Sequence, residues 1–363
     1  MTFPALETRP APSSLARNGG LLLAGVIVAT AIPMMASPLI LLRATEVAFL
    51  IVAFSGLHVL SGRLGLISVG HGAFIGIGAV TAAHAVDDFS LPYLLAPLAG
   101  ALGGVLFGVI IGIPSLRLPG TYLALLTLAV AMVLPIGLRR IDGPLGYRVD
   151  GDIRPPSWTG LAQGEEEIWQ YVLVVTVGAL IMIIVHGAIR GRFTRSLIAV
   201  RDEPTAAAAF GVNTSAVHLT GVAISAGLAG AAGGLKLYAT PLVSGEQFPF
   251  SMSVAMFALM LALGASKLWT SIPAAILLVA IPEILTRMGW AVWEPIIYAA
   301  ILLAMTRLSR GRGLVSLLEA PVEPPTSPPP ASRRPERAIG QPKTGESGNP
   351  WLLTPEPSTG EAG

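Results

Sequence analysis

The chain has 363 residues, of which 53% are hydrophobic and 12% are charged, with a formal net charge of +2 and no cysteine. Soluble domains carry about a quarter charged residues, so the composition argues against a soluble protein, and the lack of cysteine excludes disulfides and thiolate metal sites. The apolar runs are continuous, unlike the alternating strands of a membrane β-barrel. The predicted fold class is therefore an all-α polytopic membrane protein.

Apolar runs of roughly 20 residues, the length that crosses a bilayer, recur along the chain. We predict about 10 transmembrane helices (8–10), at 20–37, 40–60, 65–86, 91–113, 119–138, 168–189, 217–238, 250–266, 270–287 and 291–308. The third run is rich in glycine and could be re-entrant, and the eighth is short. Residues 1–19 are predicted to be a cytoplasmic tail, although two arginines before the first run also fit a signal peptide.

The arginines and lysines of the loops predict the orientation, because basic residues are retained on the cytoplasmic side. With the N-terminus inside, the cytoplasmic loops contain Arg63, Arg117, Arg190, Arg192, Arg195, Arg201, Lys267, Arg307, Arg310 and Arg312. The outer loops contain Asp87, Asp88, Glu246 and the long outer loop 139–167. Arg139, Arg140 and Arg287 go against the trend, but the sum predicts that both termini are cytoplasmic.

The chain changes character after the last apolar run. We predict a transmembrane domain at 20–318 and a disordered cytoplasmic tail at 319–363, where 11 of the 30 prolines fall among polar residues. Such a composition cannot bury enough apolar surface to fold. An inert tail and a partner-binding tail both remain open.

Small residues recur every fourth position in several runs, which places them on one helix face. In the fourth run they are Gly100, Gly104, Gly108 and Gly112, and in the seventh they are Gly221, Ser225, Ala229 and Gly233. Small residues at this spacing let helix backbones approach closely in a membrane. We therefore predict that these faces are packing surfaces.

The sequence has no sign of an enzyme. It has no phosphate-binding G-x-x-x-x-G-K-[ST] loop, no G-x-S-x-G turn and no histidine or carboxylate pair at metal-ligand spacing. We predict no catalytic residue, no metal and no cofactor. Ionisable residues within the runs are few: Arg43 and Glu46 can pair on one face, Lys236 and Glu283 lie near run ends, and His58 and His71 lie deeper.

A soluble-looking stretch, "TRSLIAVRDEPTAAAAFGVNTS" at 194–215, separates two apolar runs. Asp202 and Glu203 precede Pro204, which suits the first turn of a helix, and four alanines follow. Gly211 is placed to end the helix in a left-handed conformation. We predict a cytoplasmic helix of about seven or eight residues, within a loop at 190–216, that needs a docking partner for stability.

This stretch resembles the coupling loop of bacterial ABC importer permeases, most closely the branched-chain amino-acid (leucine/isoleucine/valine) permease family, which also includes urea and amide permeases. "GLHVLSGRLGLISVGHGAFIGIGAVTAA" at 56–83 is similar to the family's Gly-rich stretch with its Ser-x-Gly-His core. "SLRLPGTYLALLTLAVAMVL" at 115–134 and "GVAISAGLAGAAGGLKLY" at 221–238 match in order. The likeness covers about residues 40–312, although His58 stands where the family usually has asparagine.

The resemblance implies a permease subunit of the bacterial inner membrane that translocates branched-chain amino acids or a related small polar solute. The implied partners are a second homologous permease subunit, two ATP-binding-cassette ATPase subunits and a soluble substrate-binding protein, with no nucleic acid. It implies ATPase-coupling residues Arg201, Asp202, Glu203, Ala207 and Gly211. It also implies translocation path candidates Ser68, Gly70, His71 and Gly72.

Two other classes of function remain open from the residues alone. An ion-coupled secondary transporter would work without an ATPase, but paired carboxylates in the middle of the membrane, usual in that class, are missing from the sequence. A non-transporting scaffold would act through its proline-rich tail.

Overall fold

The computed structural model describes residues 37–116, 120–141, 143, 146–149, 166–189, 191–265 and 267–308. Its α-helices are α1 (Pro38–Leu57), α2 (His71–Asp87), α3 (Ala96–Ser115), α4 (Gly120–Ile141), α5 (Glu166–Ile189), α6 (Arg192–Asp202), α7 (Pro204–Ala209), α8 (Thr214–Ala239), α9 (Phe250–Leu263), α10 (Ser271–Arg287) and α11 (Glu294–Leu308). A π-helix (His58–Arg63) prolongs α1, and the strands β1 (Tyr147–Arg148) and β2 (Leu242–Val243) pair antiparallel. The predicted all-α fold class is confirmed.

Seven helical segments of the described residues are long and apolar enough to cross a membrane. They are Pro38–Arg63, Tyr93–Ser115, Leu123–Ile141, Glu166–Ala188, Thr214–Ala239, Gly245–Leu263 and Leu268–Arg287, and Ala291–Ala304 is a shorter apolar helix. The predicted number of about 10 is not confirmed. The predicted run 20–37 falls almost wholly outside the described residues, as do the two predicted tails and most of the outer loop 139–167.

The prediction of a helix over 65–86 is wrong at its start. Residues 64–70 are not helical, and α2 begins only at His71. The Nε2 atom of His71 lies 2.9 Å from the carbonyl oxygen of Ala53 on α1, ten residues or about 15 Å of helix before Arg63. The chain therefore turns back into the bundle, as in the re-entrant alternative, and α2 starts at membrane depth.

Helix α8 is the centre of the bundle, because α1, α2, α3 and α5 all pack against it. The predicted glycine face of α3 lies on α8: a methyl group at Gly100 would overlap the Gly230 carbonyl oxygen, and one at Gly104 would overlap that of Ala226. The neighbouring face of α8 lies on α2, where Gly233 touches the backbone of Ile75. The three helices thus meet backbone to backbone, an arrangement that small residues permit.

The large side chains of α3 point the other way. Leu98, Leu102, Leu106 and Ile110 are all exposed, on the face opposite the glycines. In lipid an exposed leucine costs nothing, so the small residues are free to occupy the helix interface. The sequence of α3 therefore suits a helix at the edge of a membrane bundle.

The bundle has two polar ends, which we name after Arg43 and Arg201. At the Arg43 end, Arg43 donates to Glu46 on α1 at 2.9 Å, as predicted, and to Glu283 on α10 at 2.7 Å. At the opposite end, which we call the Arg201 end, Arg201 reaches the last residues of the α1 π-helix. Since 19 residues separate Arg43 from Gly62, the two ends lie about 28 Å apart.

The close packing of α3 on α8 predicts a sharp difference between two glycines. Gly104→Ala should lower the apparent melting temperature of the purified protein by several degrees, because overpacking a tight interface costs about 1–3 kcal/mol. Gly137→Ala is the matched control on α4, where a methyl group would meet nothing within 4 Å. Equal melting temperatures for the two variants, measured in the same detergent, would contradict the described packing.

Candidate coupling surface and translocation path

Helix α6 lies across the Arg201 end on a stripe of its own apolar residues. Thr194, Leu197 and Val200 are buried, at the three-residue spacing that keeps side chains on one helix face. Leu197 and Val200 pack in a cluster with Val59 and Leu60 of the π-helix and with other apolar residues of α7, α8 and the segment that follows the π-helix. The charged side of α6 faces outward, so this helix is attached to the bundle without entering it.

The alanine-rich helix α7 follows α6 directly and is six residues long, shorter than predicted. Pro204 occupies its first turn, and Gly211 has a φ of +83° where the helix ends, as the residue types require. Both acids precede Pro204, as predicted, but Asp202 is the last residue of α6. Glu203 is the extended residue between the two helices, without a side-chain cap.

Most of α7 is exposed to solvent. Ala207 is buried against the bundle, while the residue after the helix, Phe210, is 89% exposed. The phenyl ring and the neighbouring exposed alanines together form an apolar surface that lies outside the bundle. Sequence reasoning missed Phe210, although one large apolar residue within a polar, alanine-rich loop was the signal that could have found it.

Arg201 connects this segment to the membrane helices. Its Nη1 atom donates a hydrogen bond of 3.0 Å to the carbonyl oxygen of Gly62 in the π-helix. A methyl group at Gly65, which has a φ of +76°, would lie 2.8 Å from the Cγ atom of Arg201. Arg201 thus covers Gly62, in the π-helix, and Gly65, just beyond it. A displacement of α6 would therefore act on the π-helix that prolongs α1.

The first turn of α2 is held between two other helices. Gly70 lies against the backbone of Thr127 on α4, and the Thr127 hydroxyl oxygen accepts a hydrogen bond of 3.2 Å from the Val69 N–H. The N–H of Gly72 donates to the hydroxyl oxygen of Ser253 on α9, at 3.0 Å. The hydroxyl oxygens of Thr127 and Ser253 therefore accept hydrogen bonds from backbone N–H groups, for which lipid tails provide no acceptor.

Two of the path candidates are fully buried polar residues. Ser68 and His71 have no exposed surface, and the ring of His71 is anchored to Ala53 through Nε2. Among the described residues, the Ser68 hydroxyl and the Nδ1 atom of His71 have no hydrogen-bond partner. The structure thus brings all four candidates together with Thr127 and Ser253 at the start of α2.

An aromatic side chain closes the bundle between this position and the Arg43 end. Phe248, which precedes α9, is buried beside Gly76 of α2 and Leu134 of α4. The Lys236 Nζ atom lies 5.7 Å from the centre of its ring and donates to Gln247 at 2.9 Å. The small Gly76 makes room for the ring, since a methyl group there would lie 3.0 Å from it.

The second deep histidine, His58, joins α1 to the turn before α10. Its ring nitrogens lie 2.9 Å from the Phe54 carbonyl oxygen and 2.8 Å from the Thr270 hydroxyl. The Thr270 hydroxyl also lies 2.7 Å from the Lys267 carbonyl oxygen. His58 is therefore a buried structural link at the Arg201 end.

A bundle of membrane-length helices with an amphipathic segment fixed across one end defines a multi-pass membrane protein. The chain belongs to the family described as the permease component of the branched-chain amino acid transport system, whose family model matches residues 39–306. As the family consists of transport subunits and not of enzymes, the chain is a permease subunit of an ABC transporter that contains other subunits.

Two relatives are both named high-affinity branched-chain amino acid transport system permease protein LivM. One is from Salmonella typhimurium and the other from Escherichia coli, and each is 28% identical to this chain over 288 residues. The match covers 73% of this chain and 68% of each relative. No solved structure matches the chain significantly.

The contact of Gly72 with Ser253 predicts a non-additive pair of substitutions. Gly72→Ala should destabilise the protein, because the new methyl group would lie 2.8 Å from the Ser253 hydroxyl oxygen. In the Ser253→Ala background the same change should cost little, since the next atom lies at 3.5 Å. A double-mutant cycle of melting temperatures measures the difference, and strictly additive effects would be the contrary result.

Proposed function

We propose that this permease moves branched-chain amino acids, or a related small polar solute, inward across the bacterial inner membrane. The solute would be delivered by a soluble binding protein, and two ATP-binding-cassette subunits would supply the energy. The similarity to two permeases of branched-chain amino acid transport systems supports this solute class. A second, homologous permease subunit would complete the pathway.

The Arg201 end would face the cytoplasm. Arg63, Arg201 and Lys267 lie at that end, and retention of basic residues on the cytoplasmic side supports the assignment. Two basic residues at the other end, Arg139 and Arg287, are paired with the carboxylates of Glu246 and Glu283 at 2.7 and 2.9 Å. Two of the three exceptions to the charge trend are thereby neutralised.

The observation that carries the proposal is the exposed α7 with Phe210, fastened to the bundle by Arg201. We infer that α7 and Phe210 enter a cleft of an ATPase subunit, and that Asp202, Glu203 and Gly211 shape this surface. When the ATPase subunits close, α6 would move and Arg201 would pull on Gly62. The end of α1 would then shift relative to α2, whose first turn lines the proposed path.

The roles of Phe210 and Arg201 can be separated by substitution. Phe210→Ala should weaken assembly with the ATPase subunits by about 2 kcal/mol, as expected for a buried aromatic anchor. Arg201→Ala should leave assembly nearly intact but reduce uptake, because it removes a charged hydrogen bond of about 1.5–3 kcal/mol to α1. Co-purification of the ATPase subunits and uptake of labelled leucine by the same cells are the two measurements.

The matched control is Phe89→Ala, because Phe89 is 81% exposed and lies at the Arg43 end. It should change neither measurement. Wild-type assembly and uptake in both the Phe210 and the Arg201 variants would rule out this surface as the coupling site.

The absence of cysteine makes the orientation directly testable. Phe210→Cys and Phe89→Cys each introduce one thiol at a highly exposed position, at opposite ends of the bundle. A membrane-impermeant maleimide should label the Phe89 variant from outside the cell membrane and the Phe210 variant only in inverted vesicles, prepared from cells that lack the ATPase subunits so that the thiol at position 210 is not covered. The opposite labelling would place α7 outside and remove any role in coupling to ATPases.

A further inference from the structure

Three buried polar groups around the start of α2 lack a protein partner. They are the Ser68 hydroxyl, the Nδ1 atom of His71 and the Ser225 hydroxyl of α8, and each residue is at most 1% exposed. A methyl group at Gly56 would lie 2.6 Å from the Ser225 carbonyl oxygen and 3.3 Å from His71 Nε2, so α8 and His71 meet at the same face of α1. Unpaired buried polar groups are costly and call for an explanation.

The bonding of His71 determines what Nδ1 can do. Because Nε2 faces the carbonyl oxygen of Ala53, which only accepts hydrogen bonds, Nε2 bears the proton and Nδ1 of the neutral ring is an acceptor. Nδ1 is attached to Cγ, close to the backbone of His71, and His71 is the first residue of α2. An unused acceptor thus lies at the N-terminal turn of a 17-residue helix.

The other groups at this position have the opposite character. The N-terminus of a helix is the positive end of its dipole and attracts anionic or carbonyl oxygens, and the Ser68 hydroxyl can donate a hydrogen bond. A partner for all of them must have an N–H donor for His71 and an oxygen acceptor within a few ångströms. An α-amino carboxylate meets both requirements with its ammonium and carboxylate groups.

The depth of the groups also suits a transported solute. His71 lies level with Ala53, about 15 Å of helix from the Arg201 end, and Phe248 separates it from the Arg43 end. Discontinuous helices whose N-termini lie near the middle of the membrane form solute sites in other transporters. The surrounding small residues, Gly56 and Gly72, keep bulky side chains away from this position.

We propose that Ser68, His71 and the N-terminal turn of α2 form a transient solute site, in which Nδ1 of His71 accepts from the ammonium group and the Ser68 hydroxyl donates to the carboxylate near the positive end of the α2 dipole. The site rests on the proposed function, and it assigns to this chain the recognition of the solute's polar head. The site is closed in the described conformation, and movement of α1 by the coupling segment would open it.

Two conservative variants test the site in the complete transporter. His71→Gln retains an N–H in the place of Nε2 for Ala53 but removes the Nδ1 acceptor, and Ser68→Ala removes only the hydroxyl. Each should reduce uptake of L-leucine about five- to tenfold, the effect of one hydrogen bond, with the amount of assembled complex unchanged. If the wild-type complex takes up urea or acetamide instead of leucine, the assay uses that solute. That result would overturn the assignment of an ammonium group as the partner of His71 Nδ1.

Tyr298→Phe is the matched control, because its hydroxyl is likewise buried and unpaired but lies on α11. It should leave uptake unchanged. If ordered water alone occupies the α2 site, Ser68→Ala will transport like wild type, and that result overturns the proposal. If His71→Gln does not assemble, the uptake measured for Ser68→Ala decides the test. If Phe210→Ala and Arg201→Ala behave like wild type while Ser68→Ala still reduces uptake, only the proposed coupling to the ATPase is refuted.

Discussion

The close approach of α8 to α2 and α3 is the constraint on which the rest of the structure depends. Lipid gives no hydrophobic drive for helix association, so contact area and backbone proximity have to supply it. Gly78, Gly100 and Gly230 meet at one point where no side chain would fit. Since this core is packed backbone to backbone, α2 has a defined position relative to α8, against which the end of α1 and the segment α6–α7 can move.

The segment α6–α7, which we propose to be the coupling segment, and the proposed path are joined through α1. Arg201 holds the π-helix at Gly62, and the ring of His71 is bonded to Ala53, nine residues earlier on the same rod. A π-helix is a locally irregular element that often occurs at functional sites. The geometry thus offers a short mechanical connection, in which one helix links the exposed α7 to buried polar groups.

The sequence was sufficient for most of the architecture and for part of the site. Helix-length apolar runs, the glycine stripe of α3 and the turn at Gly211 follow from local rules of hydropathy, packing and backbone conformation. The start of α2 could not be predicted, because "LGLISVG" at 64–70 is as apolar as a helix interior. The partners Thr127 and Ser253 lie 58 and 181 residues from the groups they bind, and no periodicity connects such distant positions.

The late start of α2 also has a consequence for biogenesis. Its first turn depends on oxygen atoms of Thr127 and Ser253, which the ribosome delivers long after α2 itself has been made. Until α4 and α9 arrive, the N–H groups of Val69 and Gly72 would face either hydrocarbon or water in a half-built bundle. The first turn of α2 can therefore complete its hydrogen bonding only after α4 and α9 have been synthesised.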